Sequence, residues 1–302
     1  QMKSRVVLNG IASRQFKLQQ GIVQGSVLSV WLYILFLDSL LLSLQQKRLG
    51  ACIQNLYVGC PAQADDVALV ANTRLELQSM LDVATLHSNR WRYRFNVEKS
   101  AVLSCGRRNA KQGSAGCTLS LCGCTLPEVS EYTHLGVPRA ADLSSRAAVE
   151  LACSKAATSM MALRHCGMRP NGLPLACCSR LWTMTAAPKA LYPLVTVPIR
   201  VLEGRRLNSL QCRAGRISIG LWPTTSSPAV LGLLGWLPFM AILKSRKLAL
   251  LGTMARLSPS SVERQVLDLC VKTPQLHSRS LVAEWSALLV EFGLPDIEEI
   301  GK

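Results

Sequence analysis

Residues 60–70 read "CPAQADDVALV". Asp65 and Asp66 stand side by side ahead of an apolar run, and Pro61 precedes them. The chain carries 18 acidic residues against 34 basic ones, so two adjacent carboxylates beside a stretch patterned for burial need a physical reason. Three remain open on the residues alone. Asp is a common turn residue, so the pair can simply close a turn. It can cap a helix that starts at 66, although "VALVANT" is short and β-branched for that. Or it can sit on a hairpin turn and present two carboxylates to divalent cations. Neighbouring carboxylates repel unless a cation lies between them, and oxygen ligands suit Mg²⁺, which keeps several waters and binds through one or two carboxylates plus substrate phosphates.

Composition narrows the setting. The 302 residues are 49% hydrophobic, enough for one large domain or two ordinary ones. A net charge of +16 and a pI of about 9.7 point to a polyanionic partner, nucleic acid first and an anionic membrane surface second. Basic residues cluster at Arg90, Arg92, Arg94 and Lys99, again through Arg200–Arg216, and at Lys244–Lys247. Twelve cysteines form no C-x-x-C pair and only four histidines accompany them, which argues against structural zinc and a disulfide framework. They read as reduced, mostly buried thiols of an intracellular protein, nuclear or cytoplasmic. "QMKSRVVLNG" lacks the apolar core of a signal peptide. The run "VLSVWLYILFLDSLLLSL" (27–44) has membrane-like hydropathy, but Asp38 and three serines predict a buried helix and no membrane.

Periodicity divides the chain. "RVVLNG" and "FKLQQGIVQG" predict short strands, and a helix follows from Val27 to Gln46. "ADDVALVA" predicts a strand covered on both faces. Thr73 and Glu76 form a capping box for a helix lined by Leu77, Met80, Leu81 and Ala84. "RFNVEKSAVLSC", "CTLSLCGCTL" and "YTHLGV" predict further short strands, the second turning at Gly123. Beyond Leu143 the pattern is helical, with one helix stopping near Gly167 and others at 174–192, 203–219, 239–257 and 279–292; Ser227 before Pro228 predicts an N-cap.

Four segments in this order resemble the reverse transcriptases of non-LTR (LINE-like) retrotransposons: Gln24-Gly25-Ser26-Val27-Leu28-Ser29, Ala64-Asp65-Asp66, Asn96-Val97-Glu98-Lys99-Ser100 and Tyr132-Thr133-His134-Leu135-Gly136. The resemblance runs from about residue 5 to 258 and implies an α+β fold. That fold is a partial right-hand polymerase palm over 1–140, an antiparallel sheet with packed helices. An all-helical thumb and connector follow over 141–258, with 259–302 an unassigned helical extension. It implies template-directed nucleotidyl transfer from a dNTP to a primer 3′-hydroxyl on RNA by a two-metal mechanism, with Mg²⁺ or Mn²⁺. Asp65 and Asp66 would then be the catalytic, metal-holding carboxylates. Gln24 and Gly25 would lie beside the template base and incoming nucleotide, Lys99 near the triphosphate, and Tyr132, Leu135 and Gly136 in the primer grip.

The departures shape the expectation as well. Gln63 stands where the family has an aromatic residue, and Val30 where it has proline. The family's third metal-binding aspartate belongs to a segment upstream of "VVLNG", and Asp38, inside the long helix, cannot replace it. Fingers, an endonuclease domain and a C-x-x-C knuckle are expected elsewhere in a larger polyprotein. The chain by itself is therefore expected to be inactive, its partners an RNA template, a DNA primer and dNTP. The alternative is a non-catalytic remnant whose basic helices bind template–primer duplex.

Overall fold

Short strands and long helices alternate along the first part of the chain and helices alone fill the rest, an α+β fold. A computed structural model describes residues 3–17, 21, 26–106, 118–273, 280–297 and 299–300. The chain forms two compact units. One comprises Gln1–Cys52, Tyr57–Phe95 and Leu119–Cys124; the other Ile53–Leu56, Asn96–Thr118 and Thr125–Lys302.

In the first unit, Val7–Leu8 pairs antiparallel with Ile11–Ala12 around Asn9-Gly10, both left-handed (φ 50° and 81°), the conformation Asn-Gly favours. Lys3–Ser4 pairs with Phe16–Lys17 outside it. Helix α1 (Val27–Gln46) packs against helix α2 (Arg74–Trp91). Thr73 caps α2 by accepting from the Glu76 N–H at 3.2 Å. The Glu76 carboxylate accepts from Asn72 N–H (3.0 Å) and from Gly50 N–H (2.9 Å), so the cap also ties down the loop after α1. The strand Ser120–Leu121 lies along α2, where the Gln78 amide both donates to the Ser120 carbonyl and accepts from its N–H.

The helix expected at 27–44 forms, but it is not buried. Its buried residues, Leu37, Leu40 and Leu44, all lie in its second half, while Val27, Leu28, Trp31, Leu32 and Leu35 are exposed. By length and composition α1 could cross a bilayer, with a mean hydropathy of 2.1 and 17% of that window buried. The difference is one of partners: α2 covers one end of an apolar helix, and hydropathy records the helix without its neighbours.

The second unit is built on α3 (Arg146–His165), α4 (Leu175–Leu181), α5 (Ala187–Leu191), α6 (Val201–Ile219), α7 (Ser227–Leu234) and α8 (Phe239–Ala255). Its core runs along the alanine-rich face of α3, through Ala148, Ala152 and Ala156, which lets α5 and α6 approach closely. A five-residue π turn, Trp182–Ala186, joins α4 to α5, and Trp182 stacks on Trp236 (4.9 Å, 17°) and Phe239 (5.9 Å, 11°). The first turn of α8 follows Pro238, which has no side-chain cap to offer. Side chains of α6 do the capping: Gln211 Oε1 accepts from Phe239 N–H at 2.7 Å and Asn208 Oδ1 from Met240 N–H at 3.0 Å. Beyond them, α9 (Val262–Lys272) and α10 (Leu281–Glu291) pack with α8 around Leu251, Leu267 and Trp285. Lys247 of α8 is fully buried, donating to the Val197 carbonyl (2.7 Å) and to Glu284 of α10 (2.5 Å).

Three local expectations change. The N-cap of α7 is Ser226, one residue before Ser227, because proline is tolerated anywhere in the first turn. "RFNVEKSAVLSC" yields only the strand Val102–Leu103, paired parallel with Glu128–Val129, since Asn96 caps a 3₁₀ turn over Val97–Lys99 and withdraws that segment from the ladder. The described cysteines are free thiols, but against the mostly buried set expected only Cys153, Cys178 and Cys212 are buried and six are exposed.

Candidate active site

Ala62–Gln63 pairs antiparallel with Asp66–Val67, with Gln63 opposite Asp66, so Ala64 and Asp65 are the two corner residues of a tight hairpin. Residue 66 begins a strand, which removes the helix-cap alternative. Pairing continues below the turn: Ala68 N–H donates to the Pro61 carbonyl (2.9 Å), Val70 N–H to Gly59 (2.7 Å), and Ala51 N–H to Val70 (2.7 Å). The strands can close this far because Gly59 faces Gly50; a Cβ on Gly59 would lie 2.7 Å from the Gly50 Cα. The expected cover on both faces is not there: Val67, Ala68 and Leu69 are half-buried and Val70 is exposed.

Ala64 holds φ at +53°, where glycine or asparagine is the ordinary choice, and a side chain there costs about 1–2 kcal/mol. Asp65 and Asp66 are exposed, and among the described residues neither carboxylate makes a hydrogen bond or an ion pair. Asp65 is electrostatically coupled to Tyr33 of α1, whose phenol is pushed up first by burial and then by the Asp65 charge. Two unneutralised carboxylates at one corner suit a hard, oxygen-preferring cation. Among the described residues no group of three His, Cys, Asp or Glu side chains gathers to hold a metal. The pair therefore fits an ion that completes its shell with water and phosphate oxygens, as Mg²⁺ or Mn²⁺ does, and does not make a closed all-protein cage. Gln24 and Gly25 lie outside the described residues.

Lys99, Tyr132, Leu135 and Gly136 belong to the second unit and the Asp65–Asp66 hairpin to the first. Asn96 Oδ1 accepts from Lys99 N–H (3.3 Å) and the Ser100 hydroxyl donates to the Asn96 carbonyl (2.9 Å). The N-x-x-K-S segment is thus a self-bonded turn with the Lys99 side chain outside it. Glu131–His134 pairs antiparallel with Val137–Ala140 around Leu135-Gly136, both left-handed (φ 51° and 75°). The two motifs meet: Tyr132 Oη donates to the Lys99 carbonyl at 2.6 Å.

One residue escaped the sequence reading. Tyr192 donates its hydroxyl to the Leu135 carbonyl (3.0 Å), and its ring lies 3.3 Å from where a Cβ on Gly136 would sit. It fixes the corner of the hairpin from 57 residues away, and its only local signal is an aromatic before Pro193 at the end of a helical run.

Residues 2–138 match the family model of reverse transcriptase (RNA-dependent DNA polymerase). A stretch of 74 residues is 39% identical to the retrovirus-related Pol polyprotein from type-2 retrotransposable element R2DM of Drosophila melanogaster, covering 24% of this chain and 7% of that protein. No solved structure matches. Residues 2–138 thus carry a reverse transcriptase domain, and the stretch shared with the R2DM polyprotein supports one of the non-LTR retrotransposon kind.

Proposed function

We propose that this chain contributes the carboxylate turn and the primer-side hairpin of an RNA-directed DNA polymerase, a nucleotidyltransferase that adds a dNTP to a primer 3′-hydroxyl on an RNA template. The observation that carries this reading is the hairpin on which Asp65 and Asp66 stand exposed and without partners. When bound there, divalent metal would make the 3′-hydroxyl a better nucleophile and offset the charge that develops on the α-phosphate and pyrophosphate. Asp65 and Asp66 hold the cation. Lys99, on its self-bonded turn, supplies positive charge toward the triphosphate. Tyr132, Leu135 and Gly136 hold the primer strand through a hairpin braced at both ends, and Gln24 and Gly25 contact the template base and nucleotide. The palm and thumb arrangement, and the division at residues 140 and 258, form part of the same proposal.

Two carboxylates make an incomplete two-metal site, and Asp38 does not complete it: it sits within α1, beside the Ser39 that bonds His87. The isolated chain accordingly should not polymerise DNA. Primer extension on RNA with Mg²⁺, comparing this chain with one extended at its N terminus by the family's aspartate segment, provides the test. Activity is expected only in the extended chain and is expected to vanish in Asp65→Ala; an inactive extended chain, or an active Asp65→Ala, sinks the proposal.

A second reading, duplex binding without chemistry, is favoured by α6, where Arg205, Arg206 and Arg213 are exposed. It calls for duplex affinity that falls steeply with salt and is indifferent to Asp65→Asn.

A further inference from the structure

The C-terminal end of α2 lies away from the carboxylate turn in sequence and combines three features that the polymerase reading does not use. Trp91 is 47% exposed. Its ring is set by a T-shaped contact with Phe36 (5.5 Å, 77°) and by the Arg90 guanidinium over it at 5.8 Å. Past the helix, exposure alternates: Tyr93 and Phe95 turn inward, packed edge to face at 5.2 Å, while Arg92 and Arg94 turn outward. Two exposed arginines therefore flank the inward-facing Tyr93 beside an anchored indole, with no acidic residue between positions 83 and 97. Arg92 also occupies the left-handed C-cap of α2 (φ 58°, ψ 41°), a position in which glycine is favoured.

We propose that Arg90, Trp91, Arg92 and Arg94 form a binding site for single-stranded nucleic acid, with Trp91 stacking an unpaired base and the arginines on successive phosphates. The charge pattern selects a polyanion. The exposed indole selects one whose bases are free to stack, since duplex bases already stack on each other. Glycine would serve the helix end better than Arg92 does, so the charge there answers to something other than the cap.

This separates binding from folding in one substitution. Binding of the full chain to a fluorescein-labelled twelve-nucleotide oligouridylate is measured by anisotropy in EDTA across a salt series, beside the same strand annealed to its complement. The single strand is expected to bind more tightly. Arg92→Gly should melt at the same temperature or higher, yet bind several-fold more weakly with a log–log salt slope shallower by about 0.7. Trp91→Ala should lose about tenfold or more, with Trp91→Phe intermediate. Because binding is read in EDTA, without metal or dNTP, a failed polymerase test leaves this result standing and the reverse. Parent-like binding by both Arg92→Gly and Trp91→Ala, or tighter binding of the duplex, would overturn the proposal.

Discussion

The Tyr132 hydroxyl donates to the backbone carbonyl of Lys99 at 2.6 Å, joining two motifs that stand 33 residues apart. A carbonyl held this way fixes the turn and leaves the lysine side chain free. Tyr132→Phe is expected to lower stability by about 1 kcal/mol, a drop of roughly 2–4 °C in melting temperature. Gly136→Ala should cost more, about 1–2 kcal/mol, because it forces φ 75° on an L-residue and meets the Tyr192 ring. Thermal unfolding of the two variants beside the parent measures both.

At the carboxylate turn, stability and metal affinity should part company. Asp65→Asn is expected to change stability by no more than about 0.5 kcal/mol, since the side chain is exposed and unpaired, while Mn²⁺ binding followed by electron paramagnetic resonance falls. Ala64→Gly should gain about 0.5–1 kcal/mol by releasing the left-handed corner. If it loses stability, the corner is not strained.

His87 hydrogen-bonds the Ser39 hydroxyl through Nε2 (2.7 Å) and the Tyr93 hydroxyl through Nδ1 (2.9 Å), partners that can each donate or accept. Burial, with the Arg90 charge second, holds its pKa below 6.5. The folded state thus binds fewer protons than the unfolded one in the window below 6.5. Stability is complete above that pH and is lost as pH falls through the folded value. Urea titrations from pH 7.5 to 5 should record the loss, and His87→Gln should flatten it.

Lys247 is buried against Glu284 and the Val197 carbonyl. Glu284→Ala, which leaves the cation buried with only a carbonyl, is expected to cost about 3 kcal/mol. The double replacement Lys247→Met with Glu284→Leu should recover most of that, less about 1 kcal/mol for the orphaned carbonyl. Equilibrium unfolding in urea distinguishes this from simple additivity of the two changes.

Features written in adjacent residues were legible in the sequence. The turn expected at Gly123 forms there (φ 79°), and the Thr73 cap begins α2 at the expected residue. Tyr192 on Leu135, Glu76 on Gly50 and Gln211 on Phe239 were not legible, because each joins segments 26 to 57 residues apart that share no local pattern. The Asp65–Asp66 pair lies between these cases. Its chemistry could be named from the two side chains, but three backbone conformations fitted it until the Gln63–Asp66 pairing made it a hairpin corner. Exposure of α1 was invisible for another reason: an apolar face has the same composition whether covered or bare.

The Gln211 and Asn208 side chains that cap the first turn of α8 also set how the helical unit comes apart. Because Pro238 supplies no cap of its own, the Phe239 and Met240 amides are shielded only while α6 is in place. Detaching α6 bares the start of α8 in the same event, and α8 carries the Lys247 that grips α10. Native-state hydrogen exchange should find these amides opening together with the core of α6, as a single foldon in which the end of one helix is guarded by the middle of another.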